Sequence, residues 1–361
     1  GESMERLVRA SIVILVVVLA AGPLRAAQEE PPDRVRLIAT GGTISNRDGG
    51  RLTAKELVEL VPNLTNYAQV EAEQFANVSS SRLTLKQWLQ LSKRVNHVFT
   101  EDPGLAGVVV TSGTDTLEET AYFLHLTVRS ERPVVVVGAM RNPSTLGYEG
   151  AANLQQAFRV AAAPQSRGKG TLVVLNGEIN SAREVTKTDS LRLHTFATRG
   201  YGVLGLVDRD GVVYYRNILR RHTYRSEFDL AGITELPRVD VILVYQGASG
   251  DLIESVVDAG ARGIVVAAAG AGATSGTQNE AIAYAHKRGV FTVMSTRTGS
   301  GRVIPRQLPT NEQGMSESRR LSIAHRIAAQ DLAPLKARIL LMLALTRTND
   351  VAEIRRMFSE Y

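Results

Sequence analysis

The sequence predicts an α/β protein of two domains, a larger N-terminal parallel-sheet domain with helices on both faces and a smaller C-terminal α/β domain. Short apolar runs alternate with amphipathic stretches along the chain, which is typical of parallel strands covered on both faces. The 361 residues exceed what one hydrophobic core usually serves. A polar, irregular stretch over residues 216–238 separates two such alternating sets. We therefore expect domains over residues 34–215 and 239–361, joined by a linker.

The N-terminal domain is predicted to begin with an apolar strand from Val35. Two capping boxes, Thr53-Ala-Lys-Glu56 and Thr84-Leu-Lys-Gln87, mark the starts of helices. In each box the two side chains satisfy backbone N–H groups that the first helical turn leaves free. The other predicted elements are strands over 107–111, 133–137 and 171–175 and helices over 117–128 and 151–163.

The C-terminal domain is predicted to contain a second, smaller alternating set. Its strands lie over residues 239–245, 263–267 and 290–294, with a helix over 278–287 between the last two. Two helices finish the chain, one over 334–346 and a last one capped by Asn349.

Residues 1–27 have the composition of a signal peptide, which predicts a periplasmic or secreted protein without a stable membrane anchor. Their features are a possible cloning remnant (Gly1-Glu2-Ser3), basic Arg6 and Arg9, an apolar run over 12–22, and small residues at 26–27. The apolar run is too short to span a bilayer core of about 30 Å as a helix. An uncleaved anchor is the alternative.

Composition excludes several functional classes. The chain has no cysteine, which rules out thiol catalysis, disulfides and cysteine metal sites. The net charge of +6 is scattered and aromatic residues are only 5%, so nucleic-acid binding is not expected. The six histidines have no metal-ligand spacing, and nothing in the sequence calls for a cofactor.

The first candidate site is the end of the strand that begins at Val35. The strand breaks into Thr40-Gly41-Gly42-Thr43, where two glycines leave space for backbone N–H groups to approach a developing oxyanion. Thr43 is therefore a candidate nucleophile. The alternative is a threonine that only makes local hydrogen bonds in the turn.

A second strand end follows about seventy residues later. There the strand over 107–111 leads through Ser112-Gly113 to Thr114 and Asp115, just before a helix. A helix N-terminus attracts anions through its free N–H groups and dipole. The alternative is plain helix capping, for which Thr116 and Glu119 are available.

Two glycine-rich segments could also indicate nucleotide binding. Gly41-Gly42 follows a strand, but the G-x-G-x-x-G spacing of dinucleotide-binding folds is missing. The segment Gly270-Ala-Gly-Ala-Thr-Ser-Gly276 lacks the lysine of a P-loop. Both interpretations are therefore weak.

Together the two strand ends resemble a known family. Ala39-Thr-Gly-Gly-Thr-Ile44 and Thr111-Ser-Gly-Thr-Asp-Thr-Leu-Glu-Glu-Thr120 are similar to the two signature motifs of bacterial L-asparaginases, in particular the exported type II branch. The likeness covers residues 34–361 and includes three further segments, Val137-Gly-Ala-Met-Arg141, Val185-Thr-Lys-Thr-Asp189 and Leu335-Lys-Ala-Arg-Ile-Leu-Leu341.

The resemblance implies hydrolysis of L-asparagine through a threonine acyl-enzyme, without a cofactor, in a homotetramer whose sites lie between subunits. It implies that Thr43 is the nucleophile and that Thr114, Asp115 and Lys187 form a catalytic triad. Asp115 would also bind the substrate's α-ammonium group. The remaining substrate-binding positions implied by the motifs are Gly42, Ser80, Ser81, Ser112 and Gly113.

Several positions depart from the family pattern. The connection over residues 45–51 is short and has no tyrosine, where relatives often carry a mobile lid with one. Ser81 replaces Gln or Glu, Ser112 replaces His, and Ala271 replaces the asparagine that a neighbouring subunit supplies. The acidic residue acting in trans would be Glu312 or Glu317.

These departures predict altered substrate selectivity rather than lost chemistry, because each missing charge-assisted hydrogen bond is worth ~1.5–3 kcal/mol. A glutaminase or another small-amide hydrolase therefore stays open as an alternative. So does a catalytically weak amino-acid-binding protein on the same scaffold.

Overall fold

The computed structural model describes residues 33–306, 314–315, 320 and 323–361. The predicted signal peptide and the candidates Glu312 and Glu317 lie outside these residues. In the part of the chain that the structure describes, no helix is long and apolar enough to cross a membrane.

The N-terminal domain is built on an eight-stranded sheet in the order β12-β11-β8-β7-β6-β5-β1-β4. The strands of this domain are β1 (Arg34–Gly41), β2 (Asn46–Arg47), β3 (Gly50–Arg51), β4 (Gln69–Val78), β5 (Gly107–Thr111), β6 (Val134–Val137), β7 (Thr171–Leu175), β8 (Glu178–Ser181), β9 (Thr186–Lys187), β10 (Phe196–Ala197), β11 (Gly205–Val207) and β12 (Val212–Tyr214). The pairs β2–β3 and β9–β10 form separate two-stranded sheets.

The sheet is parallel only over β4, β1, β5, β6 and β7. Strands β5, β6 and β7 are buried along their whole length, as expected for parallel strands covered on both faces. The prediction missed the antiparallel part, which begins at the β7–β8 hairpin. Asn176 and Gly177 join these strands with φ angles of 53° and 81°, the Asn-Gly signature of a tight hairpin.

Four helices cover this sheet: α1 (Ala54–Glu59), α2 (Leu85–Glu101), α3 (Leu117–Thr127) and α4 (Gly150–Ala162). Both predicted capping boxes, at Thr53 and at Thr84, are present. The predicted cap of α3 is wrong. The Thr116 side chain makes no capping hydrogen bond, and the Ser80 hydroxyl accepts the Thr116 N–H at 3.4 Å instead.

The C-terminal domain has a four-stranded parallel sheet. Its elements are β13 (Val239–Leu243), α5 (Asp251–Asp258), β14 (Gly263–Ala268), α6 (Gln278–Lys287), β15 (Phe291–Thr296), β16 (Arg326–Ala328), α7 (Pro334–Ala344) and α8 (Val351–Glu360). The sequence did not predict α5 or β16. The cap of α8 is Asp350, whose carboxylate accepts the Ala352 N–H, and not Asn349, which accepts a hydrogen bond from Arg262.

Helix α7 joins the two domains. It packs on β13, β14 and β15 of its own sheet and also against α3 of the N-terminal domain. Most of its side chains are buried, including Lys336. A lysine in a core position needs polar partners, and those partners lie in the N-terminal domain. The domain boundaries at residues 215/216 and 238/239 stay predictions.

A buried histidine pair ties the segment over residues 216–238 to α3. The His125 and His222 side chains are fully buried and their ring centroids lie 5.1 Å apart. Burial lowers the pKa of both imidazoles, that of His222 to about 4. Both are therefore neutral in the folded protein near pH 7.

We expect the folded state to lose stability as the pH falls from about 6.5 to about 4. In that window the unfolded chain binds protons at these histidines and the folded chain does not. With a folded pKa of about 4 and an ordinary pKa of 6.5 in the unfolded chain, His222 alone contributes a loss of about 2 kcal/mol between pH 7.5 and pH 5. Urea unfolding at the two pH values measures it.

The His222→Gln variant should show a smaller pH-dependent loss than the wild type. The matched control is His97→Gln, since His97 is exposed on α2 and should leave the pH dependence unchanged. An equal loss in wild type and His222→Gln would contradict the assignment.

Candidate active site

The site is built where β1 and β5 end. These strands are neighbours in parallel register, with Ala39 opposite Thr111, so their carboxyl ends lie at the same edge of the sheet. The Thr40 hydroxyl donates to the Thr111 carbonyl at 2.6 Å, and the Thr111 hydroxyl accepts the Thr40 N–H at 3.1 Å. Each strand then leads into a turn at this edge.

The two turns are in direct backbone contact. Gly42 has φ 93° and ψ −175°, a conformation that only glycine adopts readily. A Cβ atom on Gly42 would lie 2.3 Å from the backbone nitrogen of Gly113, and one on Gly41 would lie 2.5 Å from the backbone of Val78. The Gly-Gly sequence is therefore required because three chain segments meet here.

We expect Gly42→Ala to disrupt this junction. The new Cβ would be strained by the φ angle and would clash with Gly113, which together should lower the free energy of unfolding by about 3 kcal/mol or more. Urea unfolding and activity assays measure the two effects. Gly50→Ala is the matched control, because a Cβ on Gly50 meets nothing within 4 Å. Equal stability of the two variants would contradict the close contact.

Thr43 begins a 3-10 turn, Thr43–Ser45, and is partly exposed. The turn is held on both sides of Thr43. The Ser45 hydroxyl donates to the Gly42 carbonyl at 3.0 Å, and the Tyr148 hydroxyl donates to the Ile44 carbonyl at 2.8 Å. The Thr43 side chain has no hydrogen bond to any described residue. A fixed backbone with an uncommitted hydroxyl suits a nucleophile.

Thr114, Asp115 and Lys187 come together on the second turn. The Lys187 ammonium donates to the Thr114 hydroxyl at 3.1 Å and to the Asp115 carboxylate at 2.7 Å. Thr114 is buried, whereas the Lys187 and Asp115 side chains are 15% and 75% exposed. The three side chains thus run from the protein interior to the surface, with Lys187 between the hydroxyl and the carboxylate.

Glu118 and Tyr148 are two residues of this region that the sequence analysis missed. The Glu118 carboxylate accepts hydrogen bonds from the Thr186 hydroxyl at 3.0 Å and from the Lys187 N–H at 3.1 Å. Glu118 lies within the second motif, so helical spacing from Thr114 could have indicated it. No local sequence signal connects Tyr148 to the turn after β1.

The remaining predicted substrate-binding residues surround the same junction. A Cβ on Gly113 would lie 2.9 Å from the Ser80 hydroxyl, so Ser80 lies against the second turn, buried. Ser80 begins a 3-10 turn, Ser80–Arg82, in which Ser81 is exposed. Ser112 is fully buried and its hydroxyl donates to the Gly113 carbonyl. Its side chain therefore supports the turn.

Two of the departures from the family pattern are visible in the structure, the short connection after the first turn and Ala271 in the C-terminal domain. Residues 46–51 form the short β2–β3 hairpin directly before α1, so no longer lid occupies this connection. Ala271 is exposed in the loop after β14. Strand β14 belongs to a different sheet from β1 and β5, the strands that precede Thr43 and Thr114.

Two other features of the described residues were considered as binding sites. No group of three or more His, Asp or Glu side chains within this part of the chain is placed to hold a metal ion. A cavity of about 370 Å³ is lined by residues that include Thr186, Asp331 and Lys336, but not by Thr43, Thr114 or Asp115. It borders the strand of Lys187 without being part of the candidate site.

Family models match both domains. Residues 34–220 match the N-terminal domain described as "Asparaginase, N-terminal". Residues 238–358 match the model described as "Glutaminase/Asparaginase C-terminal domain". The two matches together cover most of the chain, and the segment between them falls within the predicted linker.

Individual proteins are similar over nearly the same length. The chain is 43% identical to L-asparaginase 2 of Bacillus subtilis, over 93% of this chain and 88% of that protein. It is 35% identical to the probable periplasmic L-asparaginase of Haemophilus influenzae, over 91% and 93%. The crystal structure of a probable cytoplasmic L-asparaginase from Campylobacter jejuni has a TM-score of 0.83 and 37% identity, covering 91% of this chain and 100% of that one. The chain therefore belongs to the bacterial L-asparaginase family and is an amidohydrolase.

Proposed function

We propose that the protein hydrolyses L-asparagine to L-aspartate and ammonia through an acyl-enzyme on Thr43. The observation that carries the proposal is the backbone contact between Gly42 and Gly113. Thr43 directly follows Gly42 on one turn, and Thr114 directly follows Gly113 on the other, where it belongs to a hydroxyl–lysine–carboxylate group. The names of the relatives support asparagine as the substrate.

In this mechanism the Thr43 oxygen attacks the side-chain amide carbon, and backbone N–H groups of the glycine turns hold the oxyanion. The proton that Thr43 loses must reach the departing nitrogen so that ammonia leaves. We assign this relay to Thr114 and Lys187, which are joined by a 3.1 Å hydrogen bond. They then assist the water that releases aspartate. Among the positioning groups, Asp115 binds the α-ammonium and Ser80 the α-carboxylate.

L-Glutamine is the alternative substrate, since the matching C-terminal family model covers glutaminases as well as asparaginases. Ser81 and Ala271 carry no charge or amide group to bind the substrate's α-amino group. Their presence favours a site that is less selective between asparagine and glutamine. An amino-acid-binding protein of low activity is the alternative of another class.

Ammonia release from L-asparagine, L-glutamine and D-asparagine by the mature chain distinguishes these functions. We expect the highest kcat/KM for L-asparagine. A higher value for L-glutamine would favour the glutaminase. For a binding protein, ligand would raise the melting temperature of the wild-type chain without turnover.

We further propose that the protein forms a homotetramer, as the resemblance implies. We also propose that it is periplasmic or secreted, as the predicted signal peptide implies. The Haemophilus relative is named periplasmic and the Campylobacter neighbour cytoplasmic, so family membership alone does not decide the compartment. Cell fractionation and light scattering of the mature protein test the two proposals. A cytoplasmic protein, or a stable active monomer, would contradict them.

A further inference from the structure

We infer that Glu118 and Lys336 are positioning residues that hold β9 so that Lys187 reaches Thr114 and Asp115. Lys336 belongs to the C-terminal domain, so this contact makes the activity of the N-terminal site depend on the other domain. The inference rests on the proposed role of Lys187.

Glu118 ties β9 to the helix that follows the second turn. It lies in the first turn of α3, four residues after Thr114, and is only 6% exposed. One oxygen of its carboxylate accepts both the Thr186 hydroxyl and the Lys187 N–H, at 3.0 and 3.1 Å. The backbone of Lys187 is therefore fixed to the same helix start that carries Thr114 and Asp115, the partners of its ammonium group.

Lys336 holds the chain just before β9. Its side chain extends from α7, is 1% exposed, and donates to the carbonyls of Arg183 and Val185. Its ammonium also lies 3.8 Å from the second oxygen of Glu118. Burial lowers the pKa of Lys336 to about 8, while the charge of Glu118 acts in the opposite direction. At neutral pH the Lys336 side chain is therefore a buried ammonium.

The pair has no direct part in the chemistry. In the described part of the chain, neither side chain hydrogen-bonds to Thr43, Thr114 or Asp115. Removing Lys336 would leave the Glu118 carboxylate buried without its counter-charge, and such groups take up a proton. A protonated Glu118 has fewer acceptor sites for the two donors of β9, the Thr186 hydroxyl and the Lys187 N–H. The expected consequence is a displaced Lys187.

A neighbouring ion pair provides a matched control. Glu119 and Arg338 also join α3 to α7, with 3.8 Å between their charged atoms, and their side chains are 13% and 23% exposed. Arg338 donates to the Val239 carbonyl, and neither residue contacts β9 through a hydrogen bond among the described residues. If the two pairs only pack the domains together, replacing either pair should have the same effect on kcat. If Glu118 and Lys336 position Lys187, only their replacement should lower kcat.

We expect Lys336→Met and Glu118→Gln each to lower kcat about 10- to 100-fold, because small displacements of a catalytic group have costs of this order. KM should change less than about threefold, since the groups proposed to bind substrate are untouched. Arg338→Met and Glu119→Gln should leave kcat unchanged. If Lys336→Met does not fold, Glu118→Gln decides the question. It keeps the shape of the side chain but replaces one carboxylate oxygen with an NH2 donor, so the side chain can no longer present an acceptor both to β9 and to the Lys336 ammonium.

A double-mutant cycle with Lys187→Met separates positioning from packing. If the pair acts through Lys187, adding Lys336→Met or Glu118→Gln to Lys187→Met lowers kcat no further. Independent, multiplying losses would overturn the inference, as would full kcat in Glu118→Gln. Should Lys187→Met itself retain full activity, the proposed function fails, which is a distinguishable result.

Discussion

Thr43→Ala should lower kcat for L-asparagine by roughly 10⁴-fold or more, the scale on which losing a nucleophile acts in other hydrolases. The turn around Thr43 is held by Ser45 and Tyr148 through its backbone, not through the Thr43 side chain. Removing the hydroxyl should therefore leave the turn, the fold and substrate binding in place. Steady-state ammonia release and ligand-dependent melting temperature measure the two effects.

Two further variants make this result specific. Thr43→Ser keeps the nucleophilic oxygen and should retain more activity than Thr43→Ala. Thr65→Ala removes an exposed threonine in another 3-10 turn and should have wild-type kcat. Thr43→Ala with more than a tenth of wild-type kcat would exclude the hydroxyl as the nucleophile.

Lys187→Met should lower kcat by about 10²- to 10⁴-fold, the usual contribution of general acid–base catalysis. Methionine matches the apolar stem of the lysine side chain but lacks the ammonium group. It therefore cannot donate to Thr114 or Asp115, to which Lys187 donates at 3.1 and 2.7 Å. Steady-state kinetics over a range of pH measure the effect.

The control for Lys187→Met is Lys86→Met. Lys86 is exposed on α2 and remote from the second turn in sequence, so its replacement should not affect kcat. If Lys187→Met and Lys86→Met have the same kcat, Lys187 has no role in proton transfer.

Local sequence signals were sufficient for most of the N-terminal elements. The valine run of β5 and the capping boxes at Thr53 and Thr84 are each formed by residues close in sequence, and the structure confirms them. The edge strand β4 was missed because half of its residues are polar and both of its faces are partly exposed. Its sequence has neither the strict alternation of apolar and polar residues nor the continuous apolar run that identifies a strand.

The partners within the site were harder to predict. Thr114 and Lys187 are separated by 73 residues, and only the resemblance to a family connected them. Lys336 lies 151 residues from Val185, whose carbonyl it contacts. Its sequence context, an apolar helix, gives no indication that its charge lies against the N-terminal domain. Such contacts arise from the topology of the sheets rather than from local propensity.

Mass spectrometry of the wild-type enzyme, stopped by acid during turnover of L-asparagine, tests the central claim most directly. The account predicts an aspartyl ester on the proteolytic peptide that contains Thr43, absent from the Thr43→Ala variant. An aspartyl ester on the peptide that contains Thr114 would contradict it.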